Sequence, residues 1–572
     1  MLNVENWLPK SLQSLRTYTR KDLLADFTAG VTVGLVALPL AMAFAIASGM
    51  SPQSGIYCAV VTGLLISLLG GSKVQIGGPT GAFVVVVAGI IARHGIDGLF
   101  MCTMMAGVLL IVMGATGLGA AIKFIPRPVV LGFTNGIAIL IASTQIRDFL
   151  GLTMEKVPGD FLGRIREIGV HFGTISPHAT IIAAASITII LLTPRLTKRV
   201  PGYIVAMVLA TAAVVILKLP VETIGSRFGG IPSGLPHLKA PQFRFDLMLP
   251  LISPAITVAM LGAIESLMSA VVADEMSGDK HNPNVELVAQ GVANVASPFF
   301  GGLPATGAIA RTATNIRSGA RTPVAGIVHA LTLVAVLLFA APLARFVPLA
   351  VLAAILAVVA YNMGQWAQLA RFLKLGKYDI LVWLVTFSLT IVADLTVAVE
   401  FGMILAALLF IRSVTATTTV SAVTDSYIKQ GWAHILQDKS IPDYVAVFRI
   451  HGPFLFGATE KLSVITDQIE DLPPVVILRL RNMTALDATG VRELESLADK
   501  VHASGKALIF CGAREQPATV LRQANFEQRV GEENICANIR EAIERAKTIG
   551  PKIRPHGAGT AKYSQFVATS AV

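Results

Sequence analysis

The chain has 572 residues, of which 54% are hydrophobic and only 14% charged. A soluble protein of this size carries about 25% charged residues, so the composition excludes one large soluble core and describes a polytopic membrane protein with a polar appendage. The net charge of +11 comes from Lys and Arg gathered in membrane-flanking loops and in the C-terminal part, which argues against a nucleic-acid partner.

Residues 1–26 are polar and amphipathic and read as a cytosolic segment, not as a cleavable signal peptide. From Phe27 to Ile96 there is no Asp or Glu, and the only basic residues are Lys73 and Arg93. Fourteen apolar segments then follow, near 27–48, 53–70, 79–93, 98–118, 128–146, 177–193, 201–217, 249–272, 284–298, 305–316, 324–343, 347–362, 379–394 and 396–412. Several are shorter than the roughly 20 residues of a full span. The third and tenth open on matched interruptions, Gly77-Gly78-Pro79-Thr80-Gly81-Ala82-Phe83 and Gly301-Gly302-Leu303-Pro304-Ala305-Thr306-Gly307-Ala308. Such a pair implies two halves of seven segments, inverted in the membrane, forming a transport domain over 27–412.

Orientation follows from short loops holding Lys123 and Arg127, then Arg195, Lys198 and Arg199, then Arg317 and Arg321, then Arg371, Lys374 and Lys377. The positive-inside rule puts these loops and both termini in the cytoplasm of an inner-membrane protein. After a linker at 413–440 the character changes. Strand patterns at 443–450, 474–480 and 505–511 alternate with helical patterns at 458–470, 489–503, 515–525 and 534–547, which describes a small cytosolic α/β domain over 441–548. Residues 549–572 read as a disordered tail.

Gly and Pro at the paired interruptions leave backbone N–H groups free at the start of the next helix. Two such N-termini that converge suit an anion, and the small residues at Thr80-Gly81-Ala82 and Gly307-Ala308 let a ligand reach the backbone. Glu265 is the one acid in the apolar stretch 253–270. A carboxyl in apolar surroundings takes up a proton more readily than in water, so Glu265 is a candidate coupling group. Ser269 lies at i+4 on the same face. Arg311, one turn into the tenth segment, would place positive charge beside an anion or pair with Glu265. Asn135, Gln145, Gln290 and Asn294 read as packing groups, and Asp394 and Glu400 as caps or anchors. Asp487 is read as an N-cap in the turn Asp487-Ala488-Thr489-Gly490. The cysteines Cys58, Cys102, Cys511 and Cys536 show no CxxC spacing, so neither a metal site nor a disulfide framework is expected. No metalloprotease, Walker or nucleophile-elbow motif occurs, so an enzyme or an ATP-driven pump is not expected.

These residues resemble the SulP family of anion transporters, the sulfate permeases, whose animal relatives include prestin and pendrin. The resemblance runs from about residue 20 to 545. It rests on Asp26 to Gly34 leading to Pro39, on GGPTGAF at 77–83, MLGAIES at 260–266, NVELVAQGVAN at 284–294 and GGLPATGAIART at 301–312. The C-terminal domain resembles the family's STAS domain. The resemblance implies fourteen spans in a seven-plus-seven inverted repeat, divided into core and gate domains, and a homodimer. The anion would sit between the third and tenth half-helices. Thr80, Gly81, Phe83, Gly307 and Ala308 match substrate positions, and Phe44 matches a lining aromatic. Arg311 matches the basic residue near the anion. Glu265 matches an acid linked to proton or sodium coupling, and Ser269 a position that joins it in sodium-coupled members. Leu40 stands where many members have Gln, which removes one donor from the pocket. PLAMAFAIASG, with MLGAIES and DEMSGDKHN, is more similar to the bacterial C4-dicarboxylate branch, whereas bicarbonate members usually carry Asp where Glu265 stands. The implied substrates are therefore sulfate, a C4-dicarboxylate or bicarbonate. The alternative is an anion channel or electromotile-type relative without active accumulation. Thr489 occupies the turn at which related STAS domains are phosphorylated, and a cytosolic partner could dock there.

Overall fold

The computed structural model describes residues 7–119, 126–154, 158, 160–197, 201–232, 234–238, 240–374, 376–393, 395–423 and 441–553. Lys123, Lys198, Arg199 and Asp394, most of the expected linker and residues 554–572 of the expected tail lie outside them. The chain divides into a unit over Met1–Ala406 and a second over Ala407–Val572.

The first unit is helical. Its elements are α1 (Arg20–Ala47), α2 (Pro52–Leu69), β1 (Gly77–Gly78), α3 (Gly81–Ala115), α4 (Arg127–Leu150), α5 (Phe161–Val170), α6 (Pro177–Leu196), α7 (Gly202–Leu217), α8 (Met248–Ser277), α9 (Pro283–Ala296), β2 (Thr306–Gly307), α10 (Ile309–Arg317), α11 (Val324–Phe339), α12 (Leu349–Met363), α13 (Lys377–Val392) and α14 (Leu395–Ala416). Every predicted apolar segment falls on one of these helices. The third and fourth merge into α3, which breaks at Gly95, where φ is 72°. Among the described residues eight helices are long and apolar enough to cross a membrane, and α7 and α11 are shorter apolar helices. α1 begins at Arg20, ahead of the expected boundary, because Thr19 and Asp22 form a capping box, and a short helix, Lys10–Leu15, precedes it. The amphipathic α5, capped by Asp160, lies between the fifth and sixth apolar segments.

Packing repeats when the halves are exchanged. α1 lies on α11 as α8 lies on α3, and α2 on α11 as α9 on α3. α4 packs on α13 as α12 packs on α6, and α4 and α12 pack on each other. β1 and β2 meet antiparallel, Gly77 opposite Gly307 and Gly78 opposite Thr306, as a twofold relation between the halves requires. Buried acids clasp the chain between helices. Asp26 accepts from Arg321 N (2.7 Å), Thr322 N (3.1 Å) and the Thr322 hydroxyl (2.5 Å). Glu286 accepts from Gly71 N (2.9 Å), Ser72 N (3.2 Å) and Gln290 Nε2 (2.9 Å). Each thereby satisfies backbone donors that water would otherwise serve.

The second unit carries a five-stranded sheet of β3 (Thr419–Ala422), β4 (Val445–Phe454), β5 (Val475–Leu486), β6 (Ala507–Cys511) and β7 (Ile535–Cys536), in that order. β3 pairs antiparallel with β4, and the remaining pairs are parallel. α15 (Ala488–Ala503), α16 (Glu515–Gln523) and α17 (Phe526–Val530) cover one face of the sheet, and α18 (Ile539–Ile549) the other. Two expectations change here. The span 413–440 is not all linker, because Thr419–Ala422 hydrogen-bonds into the sheet edge. The helix expected at 458–470 is a 3-10 run, Phe456–Leu462, followed by the single turn Ser463–Thr466.

α3 and α9 cross on paired glycines. A Cβ on Gly107 would lie 2.7 Å from Gly291 O, and one on Gly291 2.6 Å from Gly107 O. Gly107→Val or Gly291→Val should therefore lower the melting temperature of the detergent-purified protein, at an overpacking cost of about 1–3 kcal/mol. Gly89→Val, with nothing within 4 Å of its Cβ, should leave it unchanged. Equal melting of all three would contradict this crossing.

Candidate functional site

The two interruptions form one site. β1 and β2 pair, Ala308 N donates to Ile76 O at 2.8 Å, and each strand leads into a helix, α3 at Gly81 and α10 at Ile309. Neither helix has a side chain capping its first N–H groups. Thr80 stands at the N-cap of α3, yet its hydroxyl donates to Glu265 Oε2 at 2.8 Å instead of closing the helix. Both N-termini open onto a cavity of about 270 Å³, walled by α1, α3, α4, α8, α10 and α12.

The cavity brings together Phe44, Thr80, Gly81, Glu265, Ala308 and Arg311 of the expected set. It does not include Phe83, Gly307 or Ser269. Phe83 turns toward α8, its ring 3.7 Å from where a Cβ on Gly262 would stand. Gly307 serves through its backbone: its N–H donates to the Ser266 hydroxyl at 3.1 Å. Ser269 donates to the Thr312 hydroxyl at 3.1 Å. Leu40 does line the cavity, so the departure from Gln falls on its wall.

Arg311 is 2% exposed, and among the described residues no ion pair within 4 Å joins it to Glu265, so of the two roles left open for it the pair with Glu265 is not formed. Its Nη2 donates to Pro79 O, and its Nη1 has no protein partner. The guanidinium lies against Gly78, where φ is 150° and a Cβ would come within 2.4 Å of Nη1. Only glycine leaves that room. A buried cation with a spare donor, two open helix N-termini and a neighbouring carboxyl together can hold an anion whose charge is offset without water.

Several supporting residues escape the sequence reading. Gln75 Nε2 donates to Ser266 O at 3.1 Å. The Thr312 hydroxyl accepts from Ile76 N at 3.1 Å. Asn294 brackets Ala305, accepting from its N–H at 2.8 Å and donating to its carbonyl at 2.9 Å. It is a packing group as expected, but one that sets the path into β2. Tyr203, Asn362 and Gln365 close the cavity from α7 and from the end of α12. Their one sequence signal is a polar side chain at the border of an apolar run. In the second unit Asp487 caps α15, accepting from Gly490 N at 2.7 Å, and Thr489 is exposed in the first turn.

Removing the Ser266 hydroxyl tests how the site is held. Ser266→Ala leaves a buried N–H at Gly307 unpaired, at about 1–3 kcal/mol. It should lower anion affinity without changing the pH profile of transport; an unchanged affinity would show that β2 is held by other contacts.

Comparison with known proteins gives the family and the fold. The profile of the sulfate permease family matches residues 23–386, and that of the STAS domain matches residues 437–542. The putative sulfate transporter YvdB of Bacillus subtilis is 40% identical over 519 residues, 90% of this chain and 96% of that one. The bicarbonate transporter BicA of Picosynechococcus is 30% identical over 545 residues, 92% of this chain and 95% of its own. Among solved structures, the transmembrane domain of a cyanobacterial BicA is 34% identical over 68% of this chain and 98% of that one, with a TM-score of 0.59. Murine Slc26a9 shares the fold, with a TM-score of 0.85 at 19% identity over 95% of this chain and 94% of that one. The chain belongs to the sulfate permease family and ends in a STAS domain.

Proposed function

We propose that this chain is a secondary active transporter that moves a small oxyanion together with a proton by alternating access. It would act as a homodimer in the cytoplasmic membrane, with both termini and the STAS domain on the cytoplasmic side. The observation that carries this reading is the meeting of two uncapped helix N-termini with Arg311 and Glu265 around one cavity. An anion there and an ionised Glu265 would repel each other across an apolar space. Anion binding and protonation of Glu265 therefore favour each other, and by linkage the coupling is reciprocal. That is the thermodynamic basis of symport. Sodium coupling has less support, because the Ser269 hydroxyl is committed to Thr312 and lies outside the cavity wall.

The substrate class is set by the donors. Backbone N–H groups and a guanidinium recognise oxygen-borne negative charge, which sulfate, bicarbonate and a C4-dicarboxylate share. Relatives named for sulfate and for bicarbonate support the first two; the dicarboxylate rests on the sequence motifs alone. Competition of labelled-anion uptake into proteoliposomes by the three classes, with and without a pH gradient, ranks them. Flux that neither saturates nor accumulates against a gradient would favour the channel reading. Regulation at Thr489 is a further part of the proposal, and the absence of phosphate there in cells would count against it.

Two outcomes are expected. Glu265→Gln should bind the anion yet lose the acceleration of uptake by inside-alkaline gradients; a retained pH response would remove Glu265 from coupling. Gly81→Val should abolish uptake, because even a Cβ at Gly81 would lie 2.8 Å from Met363 Sδ and 3.3 Å from the Phe44 ring. Uptake at the native rate would place the anion elsewhere.

A further inference from the structure

His329 of α11 is completely buried, lies outside the cavity wall and takes no part in the site above. Neither of its ring nitrogens has a protein partner. The glycines around it fix where the ring stands. A Cβ on Gly63 of α2 would lie 3.2 Å from both His329 Nδ1 and Cε1, and 3.4 Å from Gly77 O. The imidazole and the Gly77 carbonyl therefore approach the same spot on α2. Ser67, one turn on from Gly63, packs on Gly326, one turn before His329, and its hydroxyl also lacks a protein partner.

The register of β1 explains why that carbonyl is there. Ala308 N donates to Ile76 O, so Gly77 and Gly307 face each other as a non-hydrogen-bonded pair. Gly77 thus turns its own N–H and carbonyl away from β2. The next residue, Gly78, is the one whose missing Cβ makes room for Arg311 Nη1. The ring and the guanidinium flank successive residues of one short strand, and Arg311 is the charged group that acts on the ring. α1 meets this turn of α11 with Gly34 and α2 meets it with Gly63, so neither brings a charge.

Packing does not account for a histidine here. An aliphatic side chain would fill the space without burying two polar nitrogens. Buried polar groups find partners in protein or in ordered water. The neighbours of the ring complement it. A neutral imidazole has one donor and one acceptor. Gly77 O takes a donor, and Arg311 Nη1, itself buried and without a protein partner, takes an acceptor. We propose that His329 is a positioning residue of the anion site, donating with one nitrogen toward Gly77 O and accepting with the other from Arg311 Nη1, each link completed by an enclosed water. It holds β1 and the guanidinium in one geometry, while Pro79 O holds the other terminal nitrogen of Arg311. The consequence for transport rests on the anion site read above: a preorganised guanidinium lowers the cost of binding, so losing the link appears as lost affinity and not as lost turnover.

Two measurements test this. The first needs no transport. Melting temperatures of the detergent-purified native protein, His329→Leu, Arg311→Met and the double variant form a cycle; where His329→Leu does not fold, His329→Phe replaces it. The two losses should overlap, the double variant melting about 2 °C or more above the value that additive shifts give. The second is labelled-anion uptake into proteoliposomes, with sulfate, bicarbonate or succinate, whichever the native protein accumulates. The apolar variant should raise KM about tenfold and leave the maximal rate within about threefold. His329→Gln, which keeps a donor and an acceptor, should recover most of that affinity. Additive melting shifts overturn the link. A native KM in the apolar variant, or a KM as poor in His329→Gln, overturns the positioning role. If the native protein takes up none of the three anions, the transport reading fails, and the melting cycle still decides the link.

Discussion

Broken backbone inside a membrane must find its hydrogen bonds within the protein, and this constraint organises the transport unit. β1 and β2 meet it by pairing with each other, so that each strand serves the other's N–H and C=O groups. The same pairing places two helix starts face to face with their first N–H groups unspent. The site is what the strand pairing leaves open at those two helix starts. Asn294 on Ala305, Thr312 on Ile76 and Ser266 on Gly307 complete that accounting and hold the two strands in place.

The charges around the cavity follow from the same economy. Arg311 spends one nitrogen on the Pro79 carbonyl and keeps another free, while Glu265 takes the Thr80 hydroxyl that would otherwise cap α3. One hydrogen bond thus ties the carboxyl on α8 to the open helix start of α3. Gly78 makes this compactness possible, since any side chain there would displace the guanidinium.

Much of this was legible in the chain. The apolar segments map onto helices at the predicted places and the paired interruptions onto helix starts, because periodicity and Gly-Pro punctuation are local properties; that the interruptions also form the short strands β1 and β2 was not foreseen. Phe44, Thr80, Gly81, Glu265, Ala308 and Arg311 do share one cavity. What failed is instructive. Phe83 sits beside the interruption yet points to α8, since neighbours on a helix face different ways. Ser269 shares a helix face with Glu265 but bonds to α10. Asp26 and Glu286, to which the sequence reading gave no role, clasp backbone N–H groups between helices.

By itself the sequence determined that this is a polytopic membrane protein with an α/β appendage, that two helices are broken at matched places, and that one acid and one arginine lie near the breaks. These follow from composition and from spacing along the chain. Only the tertiary structure decided that Arg311 bonds to a carbonyl and not to Glu265, and that Thr80 leaves its helix uncapped. Which donor meets which acceptor depends on residues up to 299 positions apart, and no local pattern records that choice.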